Sequence, residues 1–329
     1  MKTAIITGIT GMDAANLAKH LLNMGYRVVG TERRSSTPRR WRLEELGILN
    51  HENLIITHAD LLDQGSLDRV VKEFQPDEVY NLAAQSFVGA SWQTPVGTSD
   101  VTGLGATRVF EAVRNNKPDA KIYQAGSSEM FGGENRVEIL NENSDFYPRS
   151  PYGVAKVYAH NMAINYRESY NMFVCNGILF NHEGPLRGLE FVTRKVTDAV
   201  ARISAGLQTH VELLGLDSHR DWGDSRDFVE AMHLMLQQDS PEDFVIATNI
   251  SNSISDLLKV AFERIGVINW KDHVQIIGKQ RPADVKYLRG DYSKAKEFLN
   301  WEPIISFEKM IREMVDADIE RVSKEQQRA

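Results

Sequence analysis

The feature that most constrains this chain is an alternation. Short apolar, β-prone runs are followed, again and again, by stretches of helical periodicity. Lys2–Thr7 reads as a strand running into glycine-bearing turn residues. Asp13–Met24 then sets Leu17, Leu21, Leu22 and Met24 at helical spacing, and Gly25 can stop the helix. Arg27–Thr31 is a second strand, Arg33–Arg42 a polar basic loop, and Leu54–Thr57 a third strand leading to Asp60 and Leu61. Ser66–Phe74 is helical with Pro76 just beyond it, and Glu78–Leu82 is a fourth strand. A helix covers much of Ser99–Arg114, and Lys121–Ala125 is a fifth strand. Parallel strands need crossover connections, and helices of this length supply them. The pattern therefore predicts an α/β fold, a doubly wound parallel sheet with helices on both faces.

Beyond about Tyr170 the alternation loosens. Phe173–Ile178 still reads as a buried strand, but loops rich in Gly, Pro and Arg follow at Asn181–Gly188, His219–Asp227 and Lys279–Gly290. Helical patterns at Thr193–Ser204, Phe228–Gln237, Ile254–Ile265 and Phe307–Arg321 separate them. With 329 residues the chain has room for two units. We expect a first domain over 1–175, to which later segments at roughly 215–248 return, and a smaller α/β substrate-binding lobe over most of 176–329. No apolar run spans a bilayer, and MKTAIITG lacks a signal-peptide cleavage site, so a cytoplasmic protein is expected. The net charge of −7 argues against non-specific nucleic-acid binding. Cys175 is the only cysteine, which excludes an intrachain disulfide and a four-cysteine zinc site. The histidines have no ligand spacing, so no metal is expected.

Gly8, Ile9, Thr10, Gly11, Met12, Asp13 and Ala14 occupy the first strand–helix junction. Glycines there permit positive φ and let the backbone approach a pyrophosphate at a helix N-terminus. The pattern is GxxGxxA rather than GxGxxG, and a structural turn would look much the same. Position at the first junction favours a dinucleotide. At the end of the second strand an acidic residue suits the ribose of NAD, whereas arginine suits the 2′-phosphate of NADP. Here Glu32 precedes Arg33, Arg34, Ser35 and Ser36, whose guanidiniums and hydroxyls favour NADP. Asp60 and Leu61, after the third strand, are placed to meet the adenine.

Tyr152 and Lys156 form Tyr-x-x-x-Lys on a segment that is helical after Pro151, which puts both on one face. A free tyrosine has a pKa of about 10, too high for a base at neutral pH, and a neighbouring ammonium favours the phenolate. Such a pair can exchange a proton with a sugar hydroxyl while a nicotinamide exchanges the hydride. Gly126-Ser127-Ser128-Glu129 leaves the C-terminal end of the fifth strand, where ligands of open α/β sheets bind. Ser127 can hydrogen-bond the hydroxyl being oxidised. Glu129 reads equally as a general base or as a loop carboxylate.

These residues together resemble the extended short-chain dehydrogenase/reductase superfamily, with its Rossmann-type sheet, and within it the GDP-mannose 4,6-dehydratases. The resemblance runs almost end to end. It is carried by Gly8–Gly11, Arg33–Ser36, Tyr80-Asn-Leu-Ala-Ala-Gln-Ser86 and Phe146-Tyr-Pro-Arg-Ser-Pro-Tyr-Gly-Val-Ala-Lys156. Further on it is carried by Asn176-Gly-Ile-Leu-Phe-Asn-His-Glu183, Phe191-Val-Thr-Arg-Lys195, Arg220-Asp-Trp-Gly223 and Arg281-Pro-Ala-Asp284. The resemblance implies that Gly8–Asp13 follow the pyrophosphate and that Arg33–Ser36 meet the 2′-phosphate, across a subunit interface in a dimer of dimers. It implies that Leu82, Ala83, Ala84, Gln85 and Ser86 flank the ribose and nicotinamide, and that His182 and Arg187 also serve the cofactor. Asn181, Lys195, Arg220 and Arg281 match positions holding the GDP part of the substrate. Ser86 and Asp284 join the substrate set, as do Ser127 and Glu129. The chain departs from the family at Met12 (usually Gln), Ala14 (usually Gly), Gly126-Ser127 (usually Ser-Thr) and Gly184 (usually Ser).

The resemblance implies a redox-neutral dehydration of GDP-mannose to GDP-4-keto-6-deoxy-mannose, or of a related GDP-sugar such as a GDP-heptose. A 4-ketosugar reductase or 4-epimerase on the same scaffold needs Tyr152 and Lys156 but no base for C5, so Glu129 discriminates. A non-catalytic dinucleotide-sensing protein should have lost Tyr152 or Lys156. For the oligomer, the helices near Ser99–Arg114 and Tyr152–Tyr170 offer Val101, Leu104 and Val109, and Ala155, Ala159 and Met162, as apolar faces.

Overall fold

The computed structural model describes residues 1–37, 39–132, 138–278 and 285–328. The chain begins with β1 (Thr3–Thr7), α1 (Met12–Asn23), β2 (Arg27–Glu32), β3 (Leu54–His58), α2 (Gln64–Phe74) and β4 (Glu78–Asn81). It continues through α3 (Gly105–Asn116), β5 (Lys121–Ala125), α4 (Pro151–Tyr170) and β6 (Val174–Leu179). Then come α5 (Val192–Ser204), α6 (Ser225–Leu236), β7 (Asp243–Ile246), α7 (Ile254–Arg264) and α8 (Phe307–Arg328). The seven strands form one sheet in the order β7-β6-β5-β4-β1-β2-β3, and every pairing in it is parallel. The predicted doubly wound α/β architecture is what the structure shows.

The sheet is buried on both faces, which its near-continuous runs of Ile, Val and Tyr require. On one side Leu17, Leu21 and Ala18 of α1 pack with Phe228, Met232 and Met235 of α6. On the other, Val70, Val109, Phe110, Ala159 and Tyr166 bring α2, α3 and α4 onto the sheet. Each fully buried leucine or phenylalanine here contributes roughly 1.5–3 kcal/mol by leaving water. A separate apolar core joins α5, α7 and α8 through Val196, Val200, Leu257, Phe262, Met310 and Met314. A smaller cluster of Met130, Phe131, Ile178, Phe180, Val245 and Leu288 lies along the β6–β7 edge.

Several local readings change. Asn181–Gly188 and His219–Asp227 are not plain loops, because Asn181–Glu183 pairs in parallel with Trp222–Asp224. Ser99–Leu104 is a π-helical turn that runs into α3. The proposed outward faces also shift. Val109, Ala155 and Ala159 are 2% exposed or less and turn into the protomer, since small residues let α4 lie close to the sheet. The apolar side chains left outside there are Leu104, Val154 and Tyr158.

Candidate active site

The C-terminal ends of β1, β4 and β5 open into a cleft of about 1380 Å³. The turn after β1 forms its floor. Gly8 has a φ of 71°, and a Cβ there would sit 3.0 Å from the Cα of Ala83, so only glycine closes this turn. Gly11, at φ −73°, has no such need. Its amide donates to the Gly8 carbonyl at 2.9 Å and opens α1. Gly8, Thr10, Gly11, Met12 and Asp13 line the cleft, whereas Ile9 is fully buried and turns into the core. A bare helix N-terminus beside a glycine turn fits a pyrophosphate.

Two elements bring the predicted catalytic residues together. Ser127 and Glu129 follow β5, with the Ser127 hydroxyl accepting from the Glu129 amide at 3.2 Å. Tyr152 and Lys156 ride on α4, which begins at Pro151 and is capped by the Ser150 hydroxyl accepting from the Gly153 amide at 3.0 Å. All four line the cleft. Tyr152 lies beside the Ser127 hydroxyl and close enough to Glu129 to feel its charge. The Lys156 ammonium donates to the Ala125 carbonyl at 2.7 Å and lies 5.7 Å from the centre of the Tyr152 ring.

The expected lowering of the phenol by the ammonium is not what the protein's own groups produce. Burial pushes Tyr152 up to about 12, with the Ser127 hydrogen bond opposing and Glu129 reinforcing it. Burial pushes Lys156 down to about 8, against the pull of Asp13. Desolvation disfavours both charges, so it moves an acid up and a base down and outweighs the pull of the neighbouring groups.

Beneath the turn lies a buried charged cluster. His182 meets an oxygen acceptor at each ring nitrogen, Asp13 Oδ2 at 2.8 Å from Nε2 and the Phe180 carbonyl at 2.7 Å from Nδ1. Both partners are acceptors, so the ring carries two protons when Asp13 is ionised. Burial opposes the charge on each, yet their attraction holds His182 above the ordinary imidazole range and Asp13 below the carboxylate range. The Ser225 hydroxyl donates to Asp13 Oδ1 at 2.7 Å. Arg187 lies 2.9 Å from Glu183 and stacks over Phe191, 3.5 Å from its ring centre.

The rest of the predicted set divides. Asp60, Leu61, Leu82, Ala83, Ala84, Gln85 and Ser86 line the cleft, as do Asn181, His182, Arg187, Lys195 and Arg220. Arg33 and Ser35 reach its rim, but Arg34 and Ser36 are exposed and do not line it. Arg281 and Asp284 lie outside the described residues. Glu32, the acidic rival for a ribose, is buried and ion-paired with Arg40. Sequence reading passed over Arg39 and Arg42, which also line the cleft. Arg42 donates to the carbonyls of Thr10 at 2.8 Å and Leu186 at 2.6 Å, contacts with distant segments that no local pattern announces. Among the described residues no group of three or more His, Cys, Asp or Glu side chains could hold a metal.

The GDP-mannose 4,6 dehydratase family pattern matches residues 5–314. The chain is 49% identical to GDP-mannose 4,6 dehydratase 2 of Arabidopsis thaliana, over 98% of this chain and 88% of that one. It is 44% identical to the human GDP-mannose 4,6 dehydratase, over 96% of this chain and 91% of that one. Among solved structures, a dTDP-glucose 4,6-dehydratase of Streptomyces venezuelae superposes with a TM-score of 0.87 at 19% identity, covering 98% of each chain. That likeness is one of fold.

Proposed function

The chain belongs to the GDP-mannose 4,6-dehydratase family, and we propose that it dehydrates GDP-mannose to GDP-4-keto-6-deoxy-mannose with NADP as an internally recycled hydride carrier. The observation that carries the reading is Glu129 in one cleft with Ser127, Tyr152 and Lys156, continuous with the glycine turn. Bound dinucleotide supplies a two-electron store, filled from the sugar C4 and emptied at C6. Burial alone keeps the Tyr152 phenol protonated, and the cationic ring of a bound oxidised dinucleotide would favour its phenolate; in that form Tyr152 takes the C4 hydroxyl proton, and Ser127 holds that oxygen by a hydrogen bond. Glu129 takes the C5 proton, made acidic by the new ketone, and gives it to the departing C6 hydroxyl, which leaves as water. The proton on Tyr152 returns at C5, so the sum is loss of one water. Lys156 anchors the tyrosine's surroundings through Ala125.

NADP is favoured over NAD because Arg40 already engages Glu32, while Arg33, Ser35, Thr37 and Arg39 line the rim beside it. Asp13, His182 and Arg187 shape the pyrophosphate floor. Lys195 and Arg220, across the cleft, supply cations for the GDP phosphates. On this reading residues 1–175 form the cofactor-binding domain, to which segments at roughly 215–248 return while presenting Arg220 to the substrate, and most of 176–329 serves the sugar nucleotide. The protein works in the cytoplasm as a dimer of dimers. No helix among the described residues is long and apolar enough to cross a membrane. Leu104, Val154 and Tyr158 offer an exposed apolar face for pairing. The test is a mass spectrum after incubation with GDP-mannose and catalytic NADP, without added reductant. Loss of one water is expected; unchanged mass or a simple epimer would overturn the reading.

A further inference from the structure

Asp221 is fully buried beside the cleft, and the mechanism above does not use it. Its four partners are neutral donors. Oδ1 accepts from the Thr248 amide at 2.8 Å and the Thr248 hydroxyl at 2.7 Å. Oδ2 accepts from the amides of Asn249 at 3.0 Å and Gly290 at 3.1 Å. One carboxylate thus gathers three remote segments: His219–Asp224, the chain leaving β7, and the stretch around Gly290. Two of these segments are conformationally demanding. Asn249 is held at φ 67°, a left-handed conformation disfavoured by a Cβ. A Cβ at Gly290 would lie 2.4 Å from that of Ala247, so only glycine brings its amide this close. Burial pushes the Asp221 carboxyl up to about 6, which marks a position where geometry is kept at the expense of stability.

The neighbouring Arg220 lines the cleft with Lys195 and Trp222. It belongs to the short strand His219–Arg220, paired with Asn252–Ser253, and its guanidinium donates to the His219 carbonyl at 2.9 Å. Successive side chains of an extended segment point to opposite sides. Anchoring Asp221 inward therefore turns Arg220 outward. We propose that Asp221 is a positioning residue for the diphosphate end of the substrate, acting through Arg220 by fixing the backbone on which that arginine stands. The proposal rests on the GDP-sugar reading of the cleft.

The test measures GDP and GDP-mannose on the NADP-loaded protein and NADP on the unloaded protein. In Asp221→Asn one oxygen remains for Thr248, but the new amide nitrogen meets the Asn249 and Gly290 donors, so two of the four bonds are lost. The Kd for GDP by calorimetry and the KM for GDP-mannose should both rise about tenfold, while kcat and the Kd for NADP stay within about twofold. On an Arg220→Ala background the same substitution should add nothing to GDP binding, since the two act as one unit. If Asp221→Asn does not fold, Thr248→Val removes one of the four bonds to Asp221, together with the hydroxyl's contacts to the Ile250 backbone, and should raise the GDP Kd about threefold. Native-like GDP binding by both variants, an equal loss of NADP binding, or full additivity with Arg220→Ala would each overturn the proposal. Absence of GDP binding by the unaltered protein would overturn the functional reading as well, and that outcome is distinct from the others.

Discussion

At the catalytic end of the cleft Tyr152 and Lys156 stand on a long capped helix and are 7% and 4% exposed. At the other end Arg33, Arg34, Ser35 and Ser36 are exposed, on a stretch between β2 and the short helix Trp41–Glu45. Buried groups feel one another and their own desolvation strongly, whereas exposed charges are screened by water and salt within about 8–10 Å. The first end is therefore fixed by packing, and its proton affinities are displaced by burial. The second end holds its charges at little cost but makes weaker contacts with them, so on the proposed function changes there should alter preference among cofactors more than rate.

The largest effect expected from this contrast is at Glu129. Glu129→Gln should keep cofactor binding and lower the dehydration rate on the order of a hundred- to ten-thousand-fold, as loss of a general base does. Single-turnover measurement with GDP-mannose reads it, and near-normal turnover would remove Glu129 from the mechanism.

Lys156→Met tests the buried end through stability. The folded state holds the Lys156 proton at about 8 rather than at the ordinary 10.5, so its charge costs folding energy at every pH below 8. That cost is lifted as pH rises from 8 to 10.5. The variant should be inactive yet more stable than the unaltered protein at pH 7, by roughly 2–3 kcal/mol. The advantage should vanish near pH 10.5, as urea unfolding at the two pH values would show. A destabilised variant at pH 7 would mean that the hydrogen bond to Ala125 outweighs desolvation.

At the exposed end, Arg33→Ala combined with Arg34→Ala should weaken NADP about ten- to a hundredfold and NAD by less than threefold. Equal binding of NAD and NADP by the unaltered protein would show that Glu32 governs despite Arg40. A single Arg34→Ala separates the protomer from the assembly, since Arg34 does not line its own cleft. A loss of NADP affinity from that change alone would point to a neighbour's cofactor as its target.

The smallest effect is on assembly. NADP should shift sedimentation toward the tetramer in the unaltered protein, and Tyr158→Glu on the exposed face should reverse that shift. A fully active monomer would leave the exposed arginines with no role beyond their own protomer.

The strands β1 to β6 were legible because each run is short, apolar and β-prone, most of them being buried on both faces, and Tyr152 with Lys156 because four residues make about one helical turn. β7 was not: Asp243–Ile246 is four residues long and follows a helix whose destination no local pattern states. The pair Asn181–Glu183 and Trp222–Asp224 is three residues deep, and its partners lie far apart in sequence. Glu32 could be read as a ribose ligand because its neutralising partner, Arg40, stands inside a loop with several arginines. Arg42 and Asp221 bind mainly backbone groups, which every residue has, so their partners leave no compositional trace.

The order of the sheet sets a schedule for the growing chain. β6 finds its inner neighbour, β5, soon after it is made, but its outer neighbour is β7, which is made only after α5 and α6. Until Asp243–Ile246 emerges, Val174–Leu179 is an unpaired edge in an apolar sheet, and α6 has yet to cover its share of one face. Contacts this distant along the chain close slowly, and open edges recruit other chains. A nascent chain stalled between these two strands is thus the species most exposed to chaperones and to aggregation.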